Sequence, residues 1–317
     1  MTSLDRVKVL FIAGSGRSGS TLLGNVLGEI DGFFFAGELR FLWERGLIED
    51  RLCGCGNRFR SCPTWLKILE EAFGGADALD PRALIRTQRQ GVRIRHLPLI
   101  LGSRRRDLIA PRIGDQYEIL SRLYRAIRDV TGSRVVVDSS KLPAYGNLLD
   151  RAPSIDLRVV HLIRDPRAAA YSWLRKKAQP DRGTPGLMER QGPLRSSLLW
   201  TTWNAAAEAL WRRHPERYLR LRYEDLIADP PRAIRRILRL ADEHPSTLPF
   251  IAPRSVSLSG NHTVAGNPDR LATGAVELHP DVEWIVRMRP RDLVLVTAAT
   301  APLLERYGYP FRRGGAR

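Results

Sequence analysis

Apolar residues along the chain gather in five short runs bounded by turn or polar residues, at 7–13, 33–36, 134–137, 157–163 and 218–222. Runs of that length, rich in Val, Ile, Leu and aromatics, predict strands covered on both faces. Between several of them the apolar spacing turns helical, over 20–30, 115–130, 194–213 and 231–240. Strands alternating with helices predict an α/β fold, a P-loop-like parallel β-sheet flanked by helices and joined by right-handed crossovers. Two regions break the alternation. Residues 40–114 read as a helical insertion after the second strand, and SVSLSGNHTVAGNPDRLATG at 255–274 has too much Gly, Asn, Pro and Ser for a helix or central strand and reads as an ordered loop. The chain past Phe311 reads as a frayed tail, and no internal repeat is visible.

With 317 residues and 43% hydrophobic content, the chain is long enough for one large core, so a single domain over 1–317 with 40–114 as a lid is expected. The opening MTSLDRVKVLFIAG has neither the pattern of a signal peptide nor the length of a membrane span, which predicts a soluble, cytoplasmic protein. A net charge of +17 would suit a nucleic-acid binder, but the basic residues are dispersed, without an aromatic-rich RNA signature or zinc-finger spacing. No nucleic-acid partner is therefore predicted; an anionic substrate would still be attracted. Cys53, Cys55 and Cys62 fall in CGCGNRFRSC, too few and too close for a disulfide framework. Three thiols at this spacing are a start on a zinc site, yet no fourth ligand is obvious in the sequence. The metal expectation is none, with a reduced cluster or one Cys pair in a lid.

GSGRSGST at 14–21 nearly satisfies the phosphate-loop pattern GxxxxGK(S/T), except that Ser20 stands where the Lys belongs. That Lys reaches the β and γ phosphates of a triphosphate, so its replacement argues against ATP or GTP hydrolysis. What remains is an anion cradle: Gly16 and Gly19 let backbone N–H groups converge, Ser18, Ser20 and Thr21 offer hydroxyls, the helix start adds positive potential and Arg17 adds charge. A tight turn with no ligand is the plain alternative. Each predicted strand is also followed at once by polar residues: Glu38, then Asp138 to Lys141, then Arg164 and Asp165, then Tyr223 to Asp225. In an open parallel sheet these face one crevice beyond the strands' carboxyl ends.

GRSGSTLL at 16–23 resembles the 5′-phosphosulfate loop of sulfotransferases that use 3′-phosphoadenosine 5′-phosphosulfate (PAPS), and HLIRDPRAAAYSW at 161–173 resembles their 3′-phosphate motif. The chain is identified as a bacterial member of this family, related to carbohydrate and tyrosylprotein sulfotransferases. The resemblance implies PAPS as co-substrate with PAP as product, Arg164 and Ser172 on the 3′-phosphate, and Tyr223 of RYEDL near the adenine. It implies Glu38 of FFFAGELR as catalytic base, taken to lie on a strand beside the first, and the KTPAY-like KLPAY implies Lys141 near the transferring group. Arg17 is expected to share that role. Asn261, His262 and Arg270 are expected to contact the adenosine side of the donor.

A carboxylate at a buried strand end could have the raised pKa suited to a base, with nearby Arg17 opposing the rise. The plain reading of Glu38 is an ion pair with Arg40 or Arg17; that of Lys141 is a surface residue opening a helix, which Asp138 and Ser139 would cap. His161, inside a strand, reads as a core histidine. In-line sulfuryl displacement requires no metal. The expected acceptor is a hydroxyl of a small molecule, carbohydrate or glycolipid, held by the 40–114 insertion, whose basic apolar stretch 82–112 is a candidate peripheral contact with a membrane edge. Two rivals stay open: a P-loop small-molecule kinase, for which Asp138 is the one candidate Mg²⁺ carboxylate, and a non-catalytic basic nucleic-acid-binding protein.

Overall fold

In the computed structural model, which describes residues 6–91, 110–183 and 186–311, the five apolar runs become β1 (Val7–Gly14), β2 (Phe33–Gly37), β3 (Val135–Lys141), β4 (Ile155–Ile163) and β5 (Tyr218–Arg222). They form one parallel sheet in the order β2-β3-β1-β4-β5. The second strand is therefore not beside the first, as expected from the sequence; β3 lies between them, an order that a linear pattern of apolar runs does not encode. The interconnecting helices are α1 (Ser20–Gly28), α2 (Pro63–Phe73), α3 (Pro81–Gly91), α4 (Ala110–Thr131), α5 (Pro143–Asp150), α6 (Pro166–Leu174), α7 (Pro193–Trp211), α8 (Tyr223–Ala228) and α9 (Pro230–Ala241), followed by α10 (Glu283–Arg287) and α11 (Pro290–Arg306).

Side chains alternate across each strand, so the central strand serves two cores. Val7, Val9 and Phe11 of β1 join one apolar cluster with Leu120, Tyr124 and Ile127 of α4 and Trp211 of α7. Leu10 and Ile12 join the other, with Leu23 of α1 and Ile234 and Ile237 of α9. Phe11 is fully buried, and truncating a side chain of that size in a packed core costs about 3–5 kcal/mol. This two-sided packing holds the carboxyl ends of the strands in a fixed row.

The described part of the insertion is helical as expected: a short turn at Leu39–Phe41, a π-helical segment at Leu42–Ile48, α2, α3 and the start of α4. Residues 92–109, most of the basic apolar stretch, lie outside the described residues, as do 312–317 of the expected tail. The expected loop at 255–274 is corrected at both ends. Ser255–Leu258 forms β7, the middle strand of a small antiparallel sheet with β6 (Phe250–Ala252) and β8 (Gly274–Glu277). Val256 and Leu258 are buried while Ser257 is exposed, an alternation too short to stand out among the surrounding turn residues. Residues 259–273 remain irregular apart from a turn at Pro268–Leu271.

Candidate functional site

The turn from β1 into α1 is held open by close approaches that exclude side chains. A carbon added at Gly14 would lie 2.3 Å from the Leu162 carbonyl oxygen of β4, one at Gly16 would lie 2.6 Å from the Trp173 indole, and one at Gly19 would lie 2.4 Å from the Tyr223 ring. Arg17, between them, has φ of 66°, a left-handed conformation that costs a non-glycine residue on the order of 1–3 kcal/mol and concentrates at functional sites. Gly19 caps α1 without a side-chain hydrogen bond, so the first amides of the helix and its positive end face the turn. Ser18 Oγ, Arg17 Nε and Arg164 Nε are buried and, among the described residues, lack hydrogen-bond partners. Unpaired buried donors grouped around a helix start fit an anion.

Arg17 and Arg164 converge on this turn from two sides. The Arg17 guanidinium stacks 4.7 Å over the Trp173 ring and donates to Met188 Sδ at 3.4 Å; burial lowers its pKa, opposed by Asp269 and Glu38. Arg164, at the end of β4, donates to the Arg17 carbonyl at 3.0 Å, pairs with Asp281 and lies 4.6 Å over the Tyr223 ring. The helix that follows is fixed by Asp165, which accepts from Arg167 N at 2.9 Å and pairs with the buried Arg167 guanidinium. Ser172 sits half-buried on that helix, α6, next to Trp173.

Glu38 and Lys141 meet at the ends of β2 and β3. Lys141 Nζ donates to Glu38 Oε1 at 2.7 Å and to the Ser139 carbonyl at 2.9 Å, with both side chains buried. Lys141 is thus no surface residue opening a helix, and like Arg17 it is held left-handed, at φ 64°. The partner of Glu38 is Lys141, not Arg40 or Arg17. The expected raised pKa is also overturned: burial pushes the Glu38 carboxyl up, but Lys141, Arg40 and Arg45 together hold it below its ordinary value of 4.5. Burial lowers the Lys141 ammonium, and Glu38 opposes it. Gly266 lies between this pair and the phosphate loop, where an added carbon would be 3.5 Å from Thr21 Oγ1 and 3.7 Å from Glu38 Oε1.

Asp138 does not cap the following helix. Its buried carboxylate accepts from the Tyr124 hydroxyl, from Ser140 Oγ and from Ser140 N at 2.7 Å; burial pushes its pKa up to about 6. The cap position of α5 belongs to Leu142, with Pro143 opening the helix. His161 is a core histidine, as its place in a strand predicts: Nδ1 accepts from Tyr218 OH at 2.7 Å, and Nε2 donates to Asn204 Oδ1 at 2.8 Å.

In the 255–274 segment, Asn261, His262 and Arg270 are engaged with neighbouring protein groups. Arg270, fully buried, donates to the Thr263 carbonyl at 3.0 Å, to the Leu52 carbonyl and to Asp181 at 3.4 Å. Asn261 donates to the Arg270 carbonyl at 2.7 Å and accepts from Thr263 Oγ1 at 2.7 Å. His262 turns its imidazole to the cysteines, with Nδ1 at 3.3 Å from Cys62 Sγ. Sequence reasoning found no fourth partner for the three thiols; the chain supplies one from 200 residues downstream. It also missed Trp173, whose place in the AAAYSW segment was its one signal, and Asn25, which ties α1 to the late segment by donating to the Asp269 carbonyl at 3.0 Å.

The model of the Sulfotransferase family matches residues 10–244, which take in the phosphate loop, Glu38, Lys141, Arg164 and Tyr223. The chain belongs to the sulfotransferase family. The sulfotransferase is similar in fold to the sulfotransferase domain from the Synechococcus PCC 7002 olefin synthase, with a TM-score of 0.55, 20% identity and 96% of each chain covered. It is likewise similar to the sulfotransferase domain from the curacin biosynthetic pathway, with a TM-score of 0.55 and 18% identity over 96% of this chain and 98% of that one. No curated protein matches the chain. Among the described residues of the sulfotransferase, no helix is long and apolar enough to cross a membrane.

Proposed function

We propose that this sulfotransferase moves a sulfuryl group from PAPS to a hydroxyl of a small-molecule, carbohydrate or glycolipid acceptor and releases PAP. The observation that carries the reading is the buried Glu38–Lys141 pair, 2.7 Å apart, across Gly266 from a phosphate loop whose own lysine position holds Ser20. In this reading the cation missing from the loop is supplied from the end of β3, already paired with a carboxylate that it holds ionised.

In this reading the loop amides, Ser18 and Arg17 hold the 5′-phosphosulfate, while Arg164 and Ser172 receive the 3′-phosphate and Tyr223 flanks the adenine. The acceptor hydroxyl enters beside Glu38, from the side of the 40–114 insertion. Glu38 takes its proton as the new oxygen–sulfur bond forms and the bond from sulfur to the 5′-phosphate oxygen breaks. Lys141 keeps Glu38 ionised before the acceptor arrives and, with Arg17, neutralises charge growing on the sulfuryl oxygens and the leaving phosphate. Donors fixed before the reaction need no reorganisation during it, which is why they lower the barrier.

Thermal unfolding with PAP, AMP, ADP or ATP, without magnesium, tests the donor. A ligand present at 100 times its dissociation constant stabilises by about 2.7 kcal/mol. PAP is expected to raise the melting temperature more than AMP, ADP or ATP do. Equal shifts with PAP and AMP would defeat the assignment of Arg164 and Ser172, and a dominant shift with ATP would favour a kinase.

A further inference from the structure

Away from the phosphate loop, three thiols and an imidazole share one small volume. Cys53 Sγ, Cys55 Sγ, Cys62 Sγ and a nitrogen of His262 all lie within 4.8 Å of one another. Cys55 and Cys62 are 3.7 Å apart at sulfur, and His262 Nδ1 is 3.3 Å from Cys62 and 3.9 Å from Cys53. A tetrahedron with metal–sulfur bonds of about 2.3 Å and a metal–nitrogen bond of about 2.1 Å has edges of roughly 3.6–3.8 Å, so these separations are those of a coordination shell before it closes on its ion.

The surroundings are built for the same purpose. The imidazole faces the thiols through Nδ1 because Nε2 lies 3.2 Å from Thr64 Oγ1, and an Nε2–H donated there leaves the Nδ1 lone pair free. The backbone of His262 is held as well, its carbonyl accepting from Trp65 Nε1 at 2.7 Å. Cys53 and Cys55 sit in a tight turn closed by Cys53 N donating to the Asn57 carbonyl at 2.8 Å and Gly56 N donating to Cys53 at 2.9 Å, with Gly56 at φ 88°. Cys62 occupies the N-cap of α2, where the helix end favours a thiolate. Cys53 and Cys62 are fully buried, and Phe59 and Trp65 pack against each other beside them with ring centroids 5.3 Å apart.

We propose that Cys53, Cys55, Cys62 and His262 bind a zinc ion in a closed, four-coordinate structural site. Thiolate and imidazole ligands select zinc over hard cations, and four protein ligands leave no position for a substrate, so the ion's work is mechanical. It pins the 53–62 turn to the segment that begins at His262. That segment is the one whose Val264 N donates to the Ala36 carbonyl at 3.0 Å at the end of β2, and whose Gly266 lies against Glu38. The site is independent of the identity of donor and acceptor.

Zinc content of the full chain, purified without chelator, is the first measurement, with roughly one ion per chain expected. Cobalt(II) exchanged into the site is expected to give the intense visible bands of a tetrahedral thiolate complex. Cys62→Ser and His262→Ala are expected to lose the ion and the bands. Chelation of the wild type is expected to lower its melting temperature and to speed proteolysis within 51–65 and 259–273. Should the variants fail to fold, competition of the wild-type chain against a chromogenic zinc chelator decides the matter alone. Wild-type protein that holds no zinc in that competition, or whose mass shows a Cys55–Cys62 disulfide, overturns the proposal, as does zinc retained unchanged by folded His262→Ala.

Discussion

The two halves of the row of strand ends are built differently. On the side of β1, β4 and β5, the polar groups at the strand ends come from continuous stretches of sequence: GSGRSGST, IRDPRAAAYSW and RYED. On the side of β2 and β3, two contacts join distant residues, with Glu38 and Lys141 separated by 103 positions and Cys62 and His262 by 200. In the first half the glycine turn and the helix start are properties of a short segment and are written in a local motif, although Arg164 still reaches the Arg17 carbonyl and Asp281 across the fold. The second works through side chains that meet only once the sheet order is set. Glu38 and Lys141 meet because β2 and β3 pair side by side.

Three substitutions probe that contrast, in falling order of expected effect on turnover. Glu38→Gln keeps the side chain's shape and its contact with Lys141 but removes the proton acceptor, and is expected to lower kcat by about 10²- to 10⁴-fold with little change in PAP binding. Turnover within threefold of wild type would move the base elsewhere. Because Lys141 and the neighbouring arginines hold the Glu38 carboxyl below 4.5, kcat/KM of the wild type is expected to stay level on this residue's account as the pH falls from neutral toward that value. An acid limb near pH 6 that Glu38→Gln abolishes would contradict the depressed pKa.

Arg164→Ala is expected to weaken PAP about 10- to 100-fold, the loss of one or two charge-assisted hydrogen bonds, and to bring PAP and AMP to similar affinities. Calorimetric titration with both nucleotides measures it, and a PAP preference that survives would place the 3′-phosphate on other groups.

His161→Gln should have the least effect on turnover, because His161 is buried between Tyr218 of β5 and Asn204 of α7. Its mark is on stability. Burial lowers the His161 pKa from 6.5 to about 4, so the folded protein holds it neutral while the unfolded chain binds a proton. Its contribution is complete above pH 6.5 and is lost as the pH falls through about 4, by on the order of 1–3 kcal/mol. Asp138, raised by burial to about 6, works in the opposite sense: the folded state holds its proton more tightly, and that advantage disappears as the pH rises through about 6. The two partly cancel in the wild type, so the quantity to follow is the difference in denaturant stability between wild type and His161→Gln from pH 7 to 4. A difference that does not vary with pH would mean that His161 is not held neutral.

The same contrast explains what could be read from the sequence. Apolar-rich runs of four to seven residues located all five sheet strands, and β5 begins and ends where the pattern does. β3 runs on to Lys141 because Asp138, Ser139 and Ser140 are buried there among internal hydrogen bonds, so polarity did not mark its end. The turn after β1 and the strand-end places of Arg164 and Tyr223 were legible because each lies in a segment with its own turn or cap. The partner of Glu38 and the place of His262 beside the thiols were not, since they depend on β3 pairing with β2 and on the late segment returning over β2. A histidine in a Gly- and Asn-rich stretch looks like any loop histidine until the chain has closed.

Arg17 and Lys141 both stand where the backbone would prefer glycine. Replacing either by glycine relieves local strain and removes the charge at the same stroke. Heat selection without a demand for turnover would therefore be expected to drift toward glycine at position 17, but not at 141, where the strain relieved is outweighed by leaving the Glu38 carboxylate buried without its partner. Of the two left-handed residues, one is held by its charge partner and the other is open to replacement as soon as the demand for its charge is lifted.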